Sequence, residues 1–358
     1  MNLIDSYLHE NRVRLRLAHY GLSNDFSILM FTPMSQATSY TEFLVVDKQN
    51  GPTLVAKTPR TAVGNGLLTQ ESQILSLLQT MQHGAAPLVP NVLACEEYRG
   101  QLILLQTAVV GSKLTPHSDQ EKLAVHSAQI TAWLAEIQQF PTIQRSHTQP
   151  IQQPATWFQQ QIEYPVLYFT KCFPISEKEV RLLVRTWDIV AAGKTANLPT
   201  MLEHRALNIN HLLLTKNGKI GINNWSFATP TGLPASDLFQ LLTNIVVGLS
   251  GTTARPMFAR AVRHAFFAQD HWARRCIRQY AQQLQLPNEL LTVLFTVTWL
   301  RHLAHYLMHL NQIDTIDQSV LDAPQTRECT PATAQQLRNH PYYALWEYAV
   351  EQPHQLNW

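Results

Sequence analysis

The residues of this chain best placed to do chemistry lie between Leu202 and Leu238. Glu203-His204-Arg205-Ala206-Leu207-Asn208-Ile209-Asn210-His211 opens the stretch. The apolar run Leu212-Leu213-Leu214 then reads as a short strand, Asn217-Gly218 as a tight two-residue turn, and Lys219 to Ile222 as the return strand. Asn223-Asn224-Trp225 follows, and Gly232-Leu233-Pro234-Ala235-Ser236-Asp237-Leu238 leads into a helix. His211 offers a nitrogen ligand better matched to zinc or copper than to magnesium, although a lone histidine is more often a polar filler. Asn224 presents no charge to a hard cation, which prefers carboxylate oxygen.

The order of these elements resembles the catalytic core of the aminoglycoside phosphotransferase and choline kinase group, which shares the protein-kinase fold. The kinase catalytic loop has the form H-R-D-x-x-x-x-N, with the Asp as base and the Asn on a metal ion. The same positions here read His204, Arg205, Ala206 and, at the end, His211. In the group a metal-binding Asp follows the hairpin in an I-D-W setting, and here Ile222-Asn223-Asn224-Trp225 puts Asn224 in its place. Gly232 to Leu238 stands where the group has G-D-P-x-x-D-L. The resemblance therefore implies a degenerate member: base position Ala206, metal positions His211 and Asn224, no catalytic residue and no metal site. His204 and Arg205 would brace the loop, and Asp237 would cap the helix that follows it. Glu203 is a conceivable substitute base, but it lies three residues upstream, and geometry takes precedence over pKa.

Stepping outward to the elements that position these groups, Phe26–Phe31, Glu42–Val46 and Thr53–Lys57 read as three strands, the last two joined at Asn50-Gly51. Leu54-Val55-Ala56-Lys57 resembles the V-A-I-K strand whose lysine holds nucleotide phosphates, and Glu71, on an amphipathic helix with Ile74, Leu75 and Leu78 inward, is its candidate partner. The turn Thr32 to Ser39 contains no glycine to bring backbone N–H groups close to an anion. Leu102 to Gln106 is an unbroken apolar run expected to be a buried strand, and Thr107 to Leu114 is similar to the linker between lobes. Backbone groups around Gln106 and Ala108 would meet an adenine there. The resemblance thus implies a nucleotide site of Lys57, Glu71, Gln106 and Ala108, with ATP as the candidate cofactor and magnesium disfavoured.

An amphipathic helix is expected over residues 1 to about 22, with Ile4, Leu8, Val13, Leu15 and Leu17 on one face. Beyond residue 107, helices are expected at 120–140, 157–173, 176–191 (opened by a Ser176/Glu179 capping box), 238–249, 256–286, 288–310 and 341–350. Residues 141–156 read as a surface loop. The 256–286 segment contains Arg260, Arg263, Arg274, Arg275 and Arg278, and the run at 274–278 reads as a solvated helix face, with an anionic partner as the alternative. His302, His305 and His309 invite a zinc reading, but lack the H-E-x-x-H arrangement and fit a bundle face better.

The chain has 358 residues, a formal net charge of +2, 45% hydrophobic and 15% charged residues. Near-neutral charge gives no warrant for nucleic acid as a partner. The N-terminus is too polar for a signal peptide, and no apolar run approaches the length of a membrane helix. The cysteines Cys95, Cys172, Cys276 and Cys329 are far apart in sequence and show no metal spacing; they read as reduced structural thiols of a cytoplasmic protein. The expectation is an α+β, bilobal protein-kinase-like fold, with an antiparallel-sheet lobe over 1–107 and a mainly helical lobe over 108–358. The function expected is that of an inactive phosphotransferase homologue that binds a small molecule or a protein partner. The alternatives are an ATP-dependent small-molecule kinase using displaced residues, and a subunit stabilising a partner enzyme. Nothing in the sequence sets the oligomeric state.

Overall fold

The computed structural model describes residues 3–31, 39–80, 88–114, 120–139, 158–193, 201–251, 255–268, 270–311, 320–321, 329–356 and 358. The glycine-free turn (apart from Ser39) and the loop expected at 141–156 lie outside these residues. The described chain forms two compact units, Met1–Leu114 with Ile209–Thr229, and Thr115–Asn208 with Pro230–Trp358. Fold class is as expected, an antiparallel sheet followed by a mainly helical part.

The first unit is built on a five-stranded antiparallel sheet in the order β1-β2-β3-β5-β4. Its strands are β1 (Phe26–Phe31), β2 (Tyr40–Asp47), β3 (Gly51–Pro59), β4 (Val92–Tyr98) and β5 (Gln101–Thr107). Central β5 explains its own apolar run, because both of its faces are covered. Ile103 and Leu105 meet Leu54, Ala56 and Val45 in one core, under Ile4, Tyr7 and Leu8 of helix α1 (Leu3–Asn11). Leu104 faces the other way, with Tyr40 and with Leu68 of helix α2 (Ala62–Thr80). The expected first helix is shorter than its periodicity suggests. It ends at Asn11, Arg16 takes a left-handed backbone (φ 51°), and Val13 is 89% exposed. The Arg12 guanidinium accounts for the break, since it donates to the carbonyls of Leu22 and Ser23 and turns the chain towards the sheet.

The hairpin of residues 209–229 belongs to this sheet unit, whereas a linear boundary at residue 107 places it with the helices. Backbone bonds supply the reason. Leu88 N–H donates to Ile220 O at 2.8 Å, and Ile222 N–H donates to Leu88 O at 2.8 Å. Ser112 and Lys113 pair with Leu214 and Leu213. Gly111 and Gly221 permit the close approach: a β-carbon on Gly221 would overlap the Val109 side chain, and one on Gly111 would press on the Leu214 carbonyl.

The second unit contains α3 (Gln120–Gln139), α4 (Tyr164–Cys172), α5 (Glu177–Gly193), α6 (Ser236–Ser250), α7 (Arg255–Phe267), α8 (Trp272–Leu284), α9 (Asn288–Leu310), α10 (Pro331–Asn339) and α11 (Pro341–Glu351). Buried Trp299, Leu300, Leu303 and Leu307 of α9 form its centre. The single helix expected over 256–286 is two, α7 and α8, because His271 accepts from Ala273 N–H and caps a new start. Arg274 is not on a solvated face: it is 2% exposed, with its guanidinium 5.7 Å from the Trp358 ring centre. Helix α10 is absent from the sequence reading, although Thr330-Pro331, an N-cap followed by proline, was its signal. His302 and His305 lie in the bundle, where burial above all, with help from Arg301, holds both imidazoles well below their ordinary pKa, His302 at about 3. No group of three or more potential metal ligands occurs among the described residues.

The glutamate half of the Ser176/Glu179 capping box forms, with the Ser176 hydroxyl donating to the same carboxylate, and Glu179 does more than cap. Its carboxylate accepts from Ser176 N–H at 2.9 Å, from Arg338 Nε of α10 at 2.8 Å and from the Tyr343 hydroxyl of α11 at 2.7 Å. Burial opposes its charge, but these donors prevail and hold the carboxyl at about 2. Glu179→Ala strands Arg338 and a buried phenol, and we expect it to cost about 3 kcal/mol in chemical denaturation. A loss under about 1 kcal/mol would show that α10 and α11 dock without it.

Candidate functional site

In the sheet unit the sequence-predicted residues come together around Lys57. Strand β3 ends with Lys57 pointing towards α2, and its ammonium lies 2.8 and 3.0 Å from the two carboxylate oxygens of Glu71. A second carboxylate, missed in the sequence, completes the group: Glu42 on β2 lies directly opposite Lys57 in the ladder, with Oε1 at 2.9 Å from Nζ. Lys57 is 2% and Glu71 0% exposed. Burial opposes the ammonium, but Glu71 and Glu42 outweigh it and hold the Lys57 pKa above its ordinary value. Burial is also what raises Glu71, against the pull of Lys57.

Tyr40, the first residue of β2, lies over this group, with its ring centre 5.0 Å from Nζ. Its hydroxyl donates to Asn224 Oδ1 at 3.2 Å and lies 2.9 Å from Ser226 Oγ. Ser226 Oγ donates to the same Asn224 oxygen at 3.1 Å, and Asn224 Nδ2 lies 3.1 Å from His211 Nε2. His211 and Asn224, the two positions expected to be degenerate metal sites, are thus brought together, and they bind each other and the sheet. Asn224 has φ 62°, a left-handed backbone that asparagine tolerates better than most residues.

The predicted adenine edge is engaged within the protein. Ala108 N–H donates to Thr53 O at 2.8 Å, and Thr107 N–H to Asn91 O at 2.9 Å. Gln106 is buried in β5 opposite Val55 of β3, and its Oε1 has no partner among the described residues.

The helical unit holds the other half of the motif. Asp237 does not cap its own helix; its carboxylate accepts from His204 N–H at 2.6 Å and Arg205 N–H at 2.9 Å. The loop is braced from this side, with Arg205 at φ 65°. Ala206 N–H donates to His204 Nδ1 at 3.3 Å, which closes the turn around the base position. Glu203 is 0% exposed and is held by Arg301 through both oxygens, with Leu233 N–H at 3.2 Å and Arg205 Nε at 3.7 Å. Gly232 is required here, because a β-carbon would overlap Glu203. Burial opposes the charge of Glu203, but Arg301 and Arg205 win and keep its carboxyl at about 2; burial and then the charge of Glu203 push Asp237 up to about 8. Behind the pair, Tyr280 accepts from Ala235 N–H at 2.7 Å and donates to Gln138, which in turn donates to Leu202 O at 2.8 Å.

A sheet lysine paired with the following helix's glutamate, and a His-Arg loop braced by an aspartate, define the class as kinase-like. The phosphotransferase enzyme family matches residues 31–280, and the chain belongs to it. Solved structures agree in fold. The chain is similar to the aminoglycoside phosphotransferase APH(2'')-Ib, solved with ADP (10% identity, 96% of this chain and 99% of that one, TM-score 0.52). It is similar also to aminoglycoside 2'-phosphotransferase-IIIa, solved with GDP (14% identity, 96% and 98%, TM-score 0.53). A third is the choline kinase LicA from Streptococcus pneumoniae (10% identity, 95% and 99%, TM-score 0.51). Comparison with curated proteins gave no match. No helix among the described residues is long and apolar enough to cross a membrane.

Two measurements follow from the buried charges. Lys57→Ala leaves two carboxylates beside each other without a counter-charge, and is expected to lower unfolding free energy by about 3–5 kcal/mol. Adding Glu42→Gln and Glu71→Gln should recover part of that loss. For Asp237 the folded pKa is raised, so its contribution is full below about pH 4 and is lost as pH rises through about 8. Between about pH 7.5 and 8 the histidines with lowered pKa values are largely neutral both folded and unfolded, because the unfolded imidazole titrates near 6.5. In that window stability should fall as pH rises, by at most about 1.4 kcal/mol per unit, and Asp237→Asn should flatten the slope.

Proposed function

We propose that this member of the phosphotransferase enzyme family does not transfer phosphate and acts by holding a small molecule or a protein partner. The observation that carries the reading is the state of Lys57. An ammonium that would meet phosphate oxygens is enclosed by two carboxylates and a tyrosine ring. One positive and two negative side chains leave the group with no surplus positive charge, so an arriving phosphate meets repulsion rather than a cation.

The donor set agrees. Magnesium prefers near-octahedral oxygen ligands with carboxylate among them, and His211 with Asn224 is an imidazole and a neutral amide already bonded to each other. Ala206 has no group to orient a hydroxyl or take its proton. Glu203, the nearest carboxylate in sequence, is buried and fully committed to Arg301, which supports the same reading. These residues do not fit a magnesium nucleotide.

Thermal unfolding with ATP up to millimolar concentration, with and without magnesium, tests this, because a ligand of the folded state raises the midpoint by mass action. Wild type is expected to show no concentration-dependent shift and no release of phosphate. Glu42→Gln, which leaves Lys57 with Glu71 alone, is expected to gain a shift. Magnesium-dependent ATP turnover by the wild type would overturn the proposal and favour a small-molecule kinase using displaced residues.

A further inference from the structure

Two of the four cysteines, remote in sequence, meet in the helical unit. Cys172 ends α4, and Cys329 stands just before the Thr330 cap of α10. Cys329 N–H donates to Cys172 O at 3.3 Å. A direct backbone bond brings the two α-carbons close together, as a disulfide with an α-carbon span of about 4.4–6.8 Å requires. Both residues are partly exposed free thiols. The other two have different surroundings: Cys95 is beside Ser72 and Glu71, and Cys276 is buried beside Thr131.

We infer that Cys172 and Cys329 are an oxidisable pair that closes into a disulfide and ties the end of α4 to the entry of α10. The surroundings suit such a joint. Arg338 of α10 already reaches across it, donating to Pro174 O at 2.7 Å with its guanidinium 4.9 Å from the Phe173 ring centre. Lys171 and Arg338 supply positive charge that favours a thiolate, and the Tyr168 hydroxyl bonds the Cys172 sulfur. Burial nevertheless pushes both thiols up, and Cys172 adds to the cost of ionising Cys329. The pair therefore reacts through proximity rather than through unusual acidity, and slowly at neutral pH.

With a peroxide as oxidant the balance is simple. The Cys329 thiolate attacks one peroxide oxygen; the S–O bond forms, the O–O bond breaks, and the departing hydroxide takes a proton and leaves as water. The Cys172 thiolate then attacks the sulfenic sulfur; the S–S bond forms, the S–O bond breaks, and a second water leaves. Two thiols lose two electrons and two protons, and the peroxide is reduced to two waters. The closed bond spans a long stretch of chain, so it should restrict the unfolded state more than the folded one. Nothing in this step depends on whether nucleotide binds.

The test uses the full chain, reduced and then exposed to hydrogen peroxide, with thiols titrated after denaturation. The expected result is loss of two of the four thiols, a mass lower by about two daltons, and a cross-linked peptide joining Cys172 and Cys329. Dithiothreitol should restore the thiols and reverse a rise in melting temperature. Cys172→Ser or Cys329→Ser should each abolish the cross-link, while Cys95→Ser and Cys276→Ala should leave it. Four thiols remaining, oxygen adducts on single cysteines without a cross-link, or a bond to Cys95, Cys276 or a second chain would each overturn the inference.

Discussion

The sheet unit depends on a single positive charge shared by three elements. Lys57 on β3 is bound to Glu42 on β2 and Glu71 on α2, and all three side chains lie largely out of water. Burying ions is costly unless geometry and further hydrogen bonds compensate, and breaking one partner of such a group costs more than the group contributes. The arrangement is therefore weak as a source of stability and strong as a constraint. Helix α2 cannot shift along the sheet without exposing a carboxylate. Nor can β2 slip by one residue without turning Glu42 to the opposite face. Tyr40 extends the constraint to the turn at Asn224 and Ser226, which is also bonded to His211.

Much of this was legible in the sequence, and the misses have physical causes. The Lys57–Glu71 pair follows from a strand lysine and an amphipathic helix glutamate in the family's order. Glu42 does not, because the ladder between β2 and β3 changes register between Val45 and Val46. The turn at Asn50-Gly51 alone would set Glu42 opposite Ala56; the irregularity moves it opposite Lys57. Arg301 was invisible for another reason: it reads as one more polar residue on a long helix, and only packing brings it to Glu203. Asp237 was assigned to the right loop through the wrong bond, since a helix-start carboxylate ordinarily serves its own N–H groups, and this one serves His204 and Arg205. The chain of residues 1 to 22 shows a periodicity that the Arg12 hydrogen bonds and the left-handed backbone at Arg16 override.

The frame of the phosphotransferase motif survives because its members are structural in their own right. His204, Arg205, Asp237 and Gly232 are each held by a hydrogen bond or a steric limit independent of any ligand. Substituting them would disturb the fold. Ala206, His211 and Asn224 stand where the resemblance puts the family's chemistry, and of these His211 and Asn224 are bonded to each other, with Asn224 in a left-handed backbone. A shared fold does not by itself confer the family's function.

The hairpin of residues 209–229 has a consequence for how the protein is made. Residues 88, 112 and 113 emerge from the ribosome early, but their backbone partners at 213–214, 220 and 222 are synthesised only after residues 115–208. The nascent sheet must wait, with these backbone groups satisfied by water alone. A chain cut near residue 114 would carry the first five strands and most of their core, yet not the hairpin that pairs with residues 88, 112 and 113. The sheet unit is thus discontinuous in time as well as in sequence, and cannot be inherited, truncated or transplanted as one contiguous segment.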